Sequence, residues 1–381
     1  MDQRQSHKSN IPHETFQPEL VWAATKPTNA VVLKSDPHET PPPVYLLRQE
    51  QSREAYALIP DKEPIQNHRH WGDIVFAVVY ECVGEPGSRV FQAPSEASAR
   101  FVAIKRLRLA AVNEYLQKGG SENPYRDICR MREMGDNIHV LQCIDALRDD
   151  EFLYIVTPKA CELGTLQDAA FGGSEPMDRN RAKMLFRKIL QILSYLDSFD
   201  ISHRDFTPDN FIFLTPDNLV VFDLAMSHRI PRNEQGERIL ATPPDTVFGS
   251  FGYIAPEIAM SRMFDGLAAD LWSASVILYN LLTSRPLYRF PHPSDIFFRY
   301  NILAQAAFSP ALNERAIEVL QGVSEDDEFF CMLMKNVMAN LNYIGPASAE
   351  LLKHSFEIDP QFRWTLRQVM QSQYVQQMDA L

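Results

Sequence analysis

The hydrophobic positions divide this chain into a first part rich in strands and a second part rich in helices. Short runs of β-branched and aromatic residues at 74–82, 101–107 and 152–156 are typical of strands. Residues 125–134 predict the single main helix of this first part. After residue 165 the apolar positions recur at helical spacing. The pattern indicates an α+β protein with a small strand-rich part and a larger, mostly helical part.

One helix of the second part has an apolar face that should be buried. Trp272 and the apolar run at 276–282 are also expected in the core, and the run is too short to span a membrane. The residues that predict the buried face lie three and four positions apart, as on one side of a helix. They are Met184, Leu185, Ile189, Leu190, Ile192, Leu193 and Leu196.

A polar segment follows this helix and precedes a predicted hairpin. Residues 202–210 are rich in polar turn formers, and residues 211–214 predict a strand. Residues 215–218, with the sequence Thr-Pro-Asp-Asn, predict the hairpin turn, and residues 219–222 predict the returning strand. The hairpin would bring Asp223, at its end, beside the polar segment.

The polar segment and the end of the hairpin carry two carboxylates and an amide. The order is His203-Arg204-Asp205, then Asn210 five residues after the aspartate, then Asp223. A transferring phosphoryl group builds up negative charge. Such a group needs divalent cations held by hard oxygen ligands and a carboxylate that orients the attacking hydroxyl. These three side chains can supply those groups, although an aspartate after a strand is most often a turn former.

This order of residues resembles the eukaryotic protein kinase family. The resemblance covers roughly residues 45–376 and implies a two-lobed kinase fold, with a β-rich lobe at 44–157 and a helical lobe at 158–376. It leaves a flexible, Pro-rich leader at 1–43 and a short tail at 377–381. The further motifs that match are Val102-Ala103-Ile104-Lys105, Ala255-Pro256-Glu257, Asp270-Leu271-Trp272-Ser273 and Asp359-Pro360-Gln361-Phe362-Arg363.

The resemblance implies a role for each residue of the site. Lys105 would hold the α- and β-phosphates of ATP, whereas a lone lysine in an apolar strand is more often a surface residue. Asp205 would orient the substrate hydroxyl, and Asn210 and Asp223 would bind Mg²⁺. The residues that would line the nucleotide site, with Thr157 as gatekeeper and Lys159 in the hinge, are Gly72, Ile74, Ala103, Asp127, Thr157 and Lys159.

Residues 223–257 correspond to the activation segment of that family. By position, Thr246 is the expected phosphosite, and Arg204 is the arginine that would receive its phosphate. The alternative is that Thr246 merely belongs to a turn-rich loop. Ser250 is similar to the hydroxyl residue that contacts the catalytic aspartate in serine/threonine kinases, which favours serine and threonine substrates.

Two residues of the motifs are implied to be structural. Glu257 would pair with Arg363, and Asp270 would lie near the start of a long buried helix.

The phosphate-binding loop departs from the family pattern. When the chain is aligned on Gly72, Asn67 and Arg69 occupy the positions of the other two glycines. Backbone amides approach a phosphate closely only where no side chain intervenes. Phosphate cover is therefore expected to be looser, or to be supplied by His68, Arg69 and His70.

Two charged positions depart as well. Asp127, one methylene shorter, replaces the glutamate that pairs with Lys105, with Glu122 and Glu133 as off-register alternatives. Thr207 replaces a catalytic-loop lysine. Losing that cation removes roughly a few kcal/mol of transition-state stabilisation unless another group replaces it.

The groups that the chemistry needs most directly are all retained. Because Lys105, Asp205, Asn210 and Asp223 are present, the sequence favours an active ATP-dependent serine/threonine protein kinase. The alternative is a catalytically weak or inactive pseudokinase that acts as a scaffold. A kinase of small molecules is disfavoured by the activation segment. The partners implied are ATP, protein substrates and an upstream kinase.

Composition and charge narrow the setting. The net charge of -12 argues against a general nucleic-acid binder and favours basic protein substrates. The leader has no signal-peptide core, so no membrane insertion is expected. Five scattered cysteines without metal-ligand spacing are typical of a reducing compartment, which predicts the cytoplasm or the nucleus. They are Cys82, Cys129, Cys143, Cys161 and Cys331.

Two further segments lie outside these motifs. Residues 16–24 of the leader are apolar enough to dock on a domain, and the sequence does not decide whether they do. Residues 84–100, rich in Gly, Pro, Ser and Ala, predict a loop longer than the connection needs.

Overall fold

The chain divides into two compact units of different composition. The strand-rich unit comprises the residues up to Glu114 together with 124–133 and 143–156, and the helical unit comprises 115–123, 134–142 and the residues from Thr157 onward. The break after Val156 lies one residue before the predicted lobe boundary. The computed structural model describes residues 21–26, 31–33, 45–59, 65–68, 71–85, 88–171, 176–242, 247–292, 294–299 and 343–377.

The first unit is built on one sheet of ten described strands. The longest, β6, pairs with β4 and β5 along one edge and is antiparallel to β8 along the other. The strands are β1 Trp22–Thr25, β2 Val31–Leu33, β3 Tyr45–Gln49, β4 Glu54–Leu58, β5 Ile65–His68, β6 Gly72–Cys82, β7 Val90–Gln92, β8 Phe101–Arg108, β9 Asp145–Arg148 and β10 Phe152–Pro158.

Seven of these strands close on themselves. The order β6-β4-β3-β1-β9-β10-β8 returns to β6 through its pairing with β8. A closed ring leaves none of its strands with an unpaired edge, and alternate side chains point inward to form one core. That core is filled by Leu47, Tyr56, Ala77, Val79, Val102, Ile104, Leu147, Tyr154 and Val156.

Two strands lie in the segment that was expected to be a flexible leader. β1 fits between β3 and β9, with Ala24 opposite Gln49 and Trp22 opposite Leu147. β2 pairs with β7. Both paired segments depart from the expected flexibility, because the edges of β3, β7 and β9 offer backbone groups that need partners. The other residues of the leader lie outside the described part of the chain.

Two helices accompany the sheet. α2, Pro124–Met134, is the predicted helix. The prediction of one main helix is corrected by α1, Leu109–Gln117, which directly follows β8. Its sequence, LAAVNEYLQ, is rich in strong helix formers, so helix propensity alone would have predicted it. The predicted loop at 84–100 contains β7 and a short 3₁₀ turn, Glu96–Ser98.

The second unit is mostly helical. Its β12 and β13 form the predicted hairpin, with Phe211 opposite Val221. Among the residues that the structure describes, none of the helices is long and apolar enough to cross a membrane. The elements are α3 Leu166–Phe171, α4 Arg179–Ser198, β11 Ile201–Ser202, β12 Phe211–Thr215, β13 Asn218–Val221, β14 His228–Arg229, α5 Pro256–Ala259, α6 Gly266–Thr283, α7 Pro346–Ser355, α8 Leu366–Gln371 and α9 Gln373–Gln376.

Helices α4 and α6 pack against each other and form the centre of this unit. Asp178 caps α4 by accepting the N–H groups of Asn180 and Arg181, each at 3.0 Å. The predicted face of α4 is buried except for Met184, whose prediction as core is wrong because it is 43% exposed. Met184 lies one step outside the stripe that Leu185 and Ile189 share. α6 is buried along nearly its whole length.

Candidate active site

The predicted catalytic loop, residues 203–210, lies between β11 and β12 and is anchored on α6. The backbone N–H groups of His203 and Arg204 donate to the two carboxylate oxygens of Asp270, at 2.6 and 3.0 Å. Arg204 has a φ of 69°, a left-handed conformation that a non-glycine residue seldom adopts. The two charge-assisted hydrogen bonds therefore hold the turn that immediately precedes Asp205.

Asp270 performs this task from within the core. Its side chain is buried, and burial raises its pKa to about 6 because a charged carboxylate loses its hydration there. Hydrogen bonds from the backbone N–H groups of His203 and Arg204 act in the opposite direction and lower the pKa. Asp270 thus contacts the backbone of His203 and Arg204 from within the core, and its structural role stays a prediction.

His203 connects the loop to the residue before Asp223. Its Nε2 hydrogen-bonds to the carbonyl oxygen of Phe222 at 3.0 Å, and its Nδ1 accepts the N–H of Asp205 at 3.3 Å. The tautomer with hydrogen on Nε2 satisfies both contacts. The ring is fully buried and packs edge-on against Phe206, with centroids 5.8 Å apart. One imidazole thereby fixes the distance between the loop and the end of β13.

The carboxylate of Asp205 is oriented by donors on both of its oxygens. The backbone N–H of Ser250 donates to Oδ1 at 2.9 Å, and the side-chain Nδ2 of Asn210 donates to Oδ2 at 3.1 Å. Asn210 Nδ2 also donates to the Asp205 carbonyl oxygen at 2.7 Å. A carboxylate fixed in this way can accept the proton of a hydroxyl in one defined orientation.

Asn210 and Asp223 are connected through the backbone. The N–H of Phe222 donates to the carbonyl oxygen of Asn210 at 3.0 Å, and Asp223 follows directly in the chain. Asp223 has φ 60° and ψ 62°, a left-handed conformation that turns the chain sharply after β13. The Asn210 amide nitrogen is engaged by Asp205, so the amide oxygen is the atom that would be available to a metal ion. Amide and carboxylate oxygens are the hard ligands that Mg²⁺ prefers, so this donor set fits the ion.

Thr207 occupies the position of the missing lysine and supplies no charge. Its side chain is 2% exposed. Its carbonyl oxygen accepts the N–H of Asn210 at 3.0 Å, at the start of the 3₁₀ turn Pro208–Asn210. The predicted catalytic position is therefore a packed turn residue.

Asp209, in the same turn, adds negative charge to the loop. Partial burial raises its pKa, and the charges of Asp168 and Asp205 raise it further. The rise indicates that these carboxylates interact with one another. No role was predicted for Asp209 from the sequence, although its place beside Asn210 is a visible signal.

In the strand-rich unit, Lys105 and Asp127 are brought together. Lys105 Nζ lies 4.0 Å from Asp127 Oδ2, and the two side chains are 18% and 5% exposed. The separation is at the outer limit of an ion pair, as expected for a carboxylate one methylene shorter than glutamate. The alternative Glu133 pairs instead with Arg130 at 3.0 Å. The structure thus places the carboxylate of Asp127 at Lys105.

The remaining predicted nucleotide residues lie on β6, β8 and the end of β10. Ile74 lies opposite Lys105, and Ala103 lies opposite Phe76. Thr157 is the second-to-last residue of β10, and Lys159 directly follows the strand; both side chains are half-buried. The predicted alternatives Arg69 and His70 lie outside the described residues.

Gly72 has a structural requirement of its own. A Cβ at this position would lie 1.8 Å from the carbonyl oxygen of Arg106 on the neighbouring strand. Only glycine allows that close approach of two backbones. The one glycine left of the expected phosphate loop is therefore needed by the sheet itself.

Ser250 reaches Asp205 because Gly249 precedes it. Gly249 has φ 82°, and a Cβ there would lie 2.7 Å from the carbonyl oxygen of Arg204. The close backbone contact brings the Ser250 amide to the carboxylate. Sequence reasoning missed Gly249, because its need for close approach follows from a residue far away in the chain. Thr246, the predicted phosphosite, lies outside the described residues.

Glu257 and Arg363 form the predicted pair in the core. The guanidinium donates to both carboxylate oxygens, at 2.7 and 2.9 Å, and each side chain is 2% exposed. The guanidinium also lies over the Trp272 ring, 4.7 Å from its centroid. The end of the activation segment is thereby tied to the segment before α8.

The fold and these contacts are those of a protein kinase. The family profile described as the protein kinase domain matches residues 80–375. The match covers well over half of the chain, so the protein belongs to the protein kinase family. Gly72 and the loop before it precede the matched residues, in agreement with the divergence seen in the sequence.

Several known kinases resemble the chain at low identity. CDPK-related kinase 1 of Arabidopsis thaliana is 28% identical over 264 residues, which cover 66% of this chain and 44% of that protein. CBL-interacting serine/threonine-protein kinase 21 of the same plant is 28% identical over 210 residues, 55% of this chain and 47% of that protein. The rice calcium/calmodulin-dependent serine/threonine-protein kinase 1 is 31% identical over 194 residues, 50% of this chain and 30% of that protein. The chain thus matches less than half the length of each relative.

Proposed function

We propose that this protein is a serine/threonine protein kinase that transfers the γ-phosphoryl group of ATP to hydroxyl groups of protein substrates. The observation that carries the proposal is the Asp205 carboxylate, held by the Ser250 N–H on one oxygen and by Asn210 on the other. A carboxylate with this fixed orientation suits a group that positions an attacking hydroxyl. The names of the relatives support serine/threonine specificity.

In the proposed mechanism each retained residue has one task. Asp205 orients the substrate hydroxyl for in-line attack, and its own hydrogen bonds prevent rotation of the carboxylate. Lys105, with Asp127 beside it, holds the α- and β-phosphates. Asn210 and Asp223 would hold Mg²⁺, which would offset the negative charge of the phosphates.

We further propose that basic protein segments are favoured as substrates. One support is a cluster of three carboxylates, in which the charges of Asp168 and Asp205 raise the pKa of Asp209. The other is the net charge of -12. A cationic side chain placed near Asp209 would relieve this repulsion. Phosphorylation of Thr246 by an upstream kinase stays a prediction from the sequence. The described cysteines Cys82, Cys129, Cys143 and Cys161 are free thiols, and location in the cytoplasm or nucleus stays a prediction.

A second function deserves a test because of two specific observations. Thr207 is buried and neutral, and Gly72 is the one glycine left of the phosphate loop. Both changes weaken the stabilisation of transferring phosphate. They favour, as the second candidate, a scaffold that binds nucleotide without turnover.

Transfer of radiolabelled γ-phosphate from ATP with magnesium tests the proposal. The full chain would be incubated with a basic protein acceptor and compared with Asp223→Asn and Asp205→Asn. The matched control is Asp217→Asn, an exposed aspartate in the turn between β12 and β13. We expect label with wild type and control, and a loss of at least about a hundredfold in the two site variants. Nucleotide binding by thermal shift without any transfer would establish the scaffold.

A further inference from the structure

The activation segment is attached to one residue, Phe264, on both sides of positions 243–246. Upstream, Ala241 and Phe264 exchange backbone hydrogen bonds of 2.8 and 3.1 Å. Downstream, the Phe248 ring packs on the Phe264 ring, with centroids 5.8 Å apart. Phe248 is 9% exposed and Phe264 2%. The described ends on either side of the predicted phosphosite are therefore already held.

The upstream end is also held by ion pairs. Arg232 binds Asp200 with two hydrogen bonds of 2.8 and 2.6 Å. Arg238 contacts Asp200 at 3.4 Å and Asp265 at 3.8 Å, and it hydrogen-bonds Asp197 as well. Asp197 lies in the last turn of α4, and Asp265 is the N-cap of α6. Two arginines of the segment are thus bound to three carboxylates at the ends of the central helices.

Arg204 contributes on the downstream side. Its guanidinium carbon lies 4.9 Å from the centroid of the Phe248 ring. A guanidinium at this distance from an aromatic ring is attracted to it. Arg204 is also the arginine that the family resemblance assigns to an activating phosphate. Here it contacts an aromatic residue of the segment itself.

We infer that contacts within the chain order the described parts of the activation segment, residues 223–242 and 247–257, without a phosphate on Thr246. The inference rests on the proposed kinase function and names how that site is regulated. A phosphate usually activates by adding charge-assisted hydrogen bonds that order a mobile segment. The described parts of the segment, already held at Asp200, Phe248 and Phe264, have little conformational entropy left to lose, so a phosphate adds little order to them. Activity then depends on the pairs of Arg232 and Arg238.

The first test compares phosphorylated and unphosphorylated protein. The full chain would be treated with phosphatase, checked by mass spectrometry, and assayed beside Thr246→Ala for kcat/KM on a basic peptide. We expect both to stay within about twofold of the untreated protein. A loss of about tenfold or more in either would overturn the inference.

The second test breaks the ion pairs. Arg232→Glu should lower kcat/KM by about fivefold or more, because it places like charges beside Asp200. The reversed pair Arg232→Glu with Asp200→Arg should recover most of that loss. The matched control Glu234→Ala changes an exposed residue two positions after Arg232 and should leave kcat/KM unchanged. Equal rates in Arg232→Glu and in Glu234→Ala would contradict the inference.

A third measurement does not need activity. Amide hydrogen exchange in the phosphatase-treated full chain should be slow at the N–H groups of Ala241 and Phe264, because each donates to the carbonyl oxygen of the other residue. Phe248→Ala should reduce that protection. Unprotected amides in wild type would overturn the inference whatever the kinase activity. Protected amides in a chain that transfers no phosphate would uphold the ordering and fault the proposed function instead.

Discussion

Replacing Arg363 by alanine should destabilise the helical unit severely. Arg363→Ala leaves the carboxylate of Glu257 buried and unpaired, because both side chains are only 2% exposed. The expected cost is about 3–5 kcal/mol. Losing the contact with the Trp272 ring, at 4.7 Å, adds about 0.5–2 kcal/mol. Since about 1 kcal/mol shifts Tm by about 2–4 °C in a domain of this size class, the pair alone predicts a fall of roughly 6–20 °C.

Differential scanning calorimetry on the full chain would measure this shift. The matched control is Arg367→Ala, an exposed arginine on α8, which should change Tm by about 2 °C at most. The double variant Glu257→Gln with Arg363→Met removes both charges and should recover a large part of the loss. A double variant no more stable than Arg363→Ala, or an Arg363→Ala shift equal to that of Arg367→Ala, would refute the reasoning.

Three other changes have defined outcomes. Gly249→Ala should lower kcat by about tenfold or more with nucleotide binding kept, because its Cβ would lie 2.7 Å from the Arg204 carbonyl oxygen; steady-state kinetics and thermal shift would check this. Burial raises the pKa of Asp270 to about 6, so its contribution to the free energy of unfolding is full below its ordinary pKa and falls as pH rises through about 6. Asp270→Asn should remove that fall. Urea unfolding between pH 4 and pH 7 would give the free energy of unfolding at each pH, and an equal dependence on pH in wild type and variant would contradict the argument. Ala24→Pro should speed amide exchange in β9, whereas Trp22→Ala, at a side chain 46% exposed, should not.

Elements whose partners are close in the chain followed from local sequence. The hairpin of β12 and β13 needs only its turn at 215–218, and the strand pairing across it was predicted. The catalytic loop follows from the spacing of Asp205 and Asn210, whose side chains then meet through one hydrogen bond of 3.1 Å. Met184 shows the limit, because apolar character alone did not say on which side of the buried stripe it lies.

Contacts between distant segments were beyond the sequence. β1 overlaps the end of the apolar segment 16–24, but its pairing with β9 depends on the backbone groups that β9 leaves open, which the sequence did not decide. Gly249 is required because its φ is 82° and because the carbonyl oxygen of Arg204 lies where a Cβ would be. The ion pairs of Arg238 join two helix ends that no local pattern brings together. Each of these contacts depends on tertiary structure that the local amino-acid sequence does not reveal.

The place of β1 in the closed ring has a consequence for any shortened form of this protein. A fragment that starts at residue 44, the predicted domain boundary, keeps β3 and β9 but loses the strand between them. Two adjacent strand edges would then be exposed, each with unpaired N–H and C=O groups. Such edges are satisfied by a strand from another copy, so the fragment should form strand-exchanged dimers or aggregates, while chains that retain residues 21–26 stay apart.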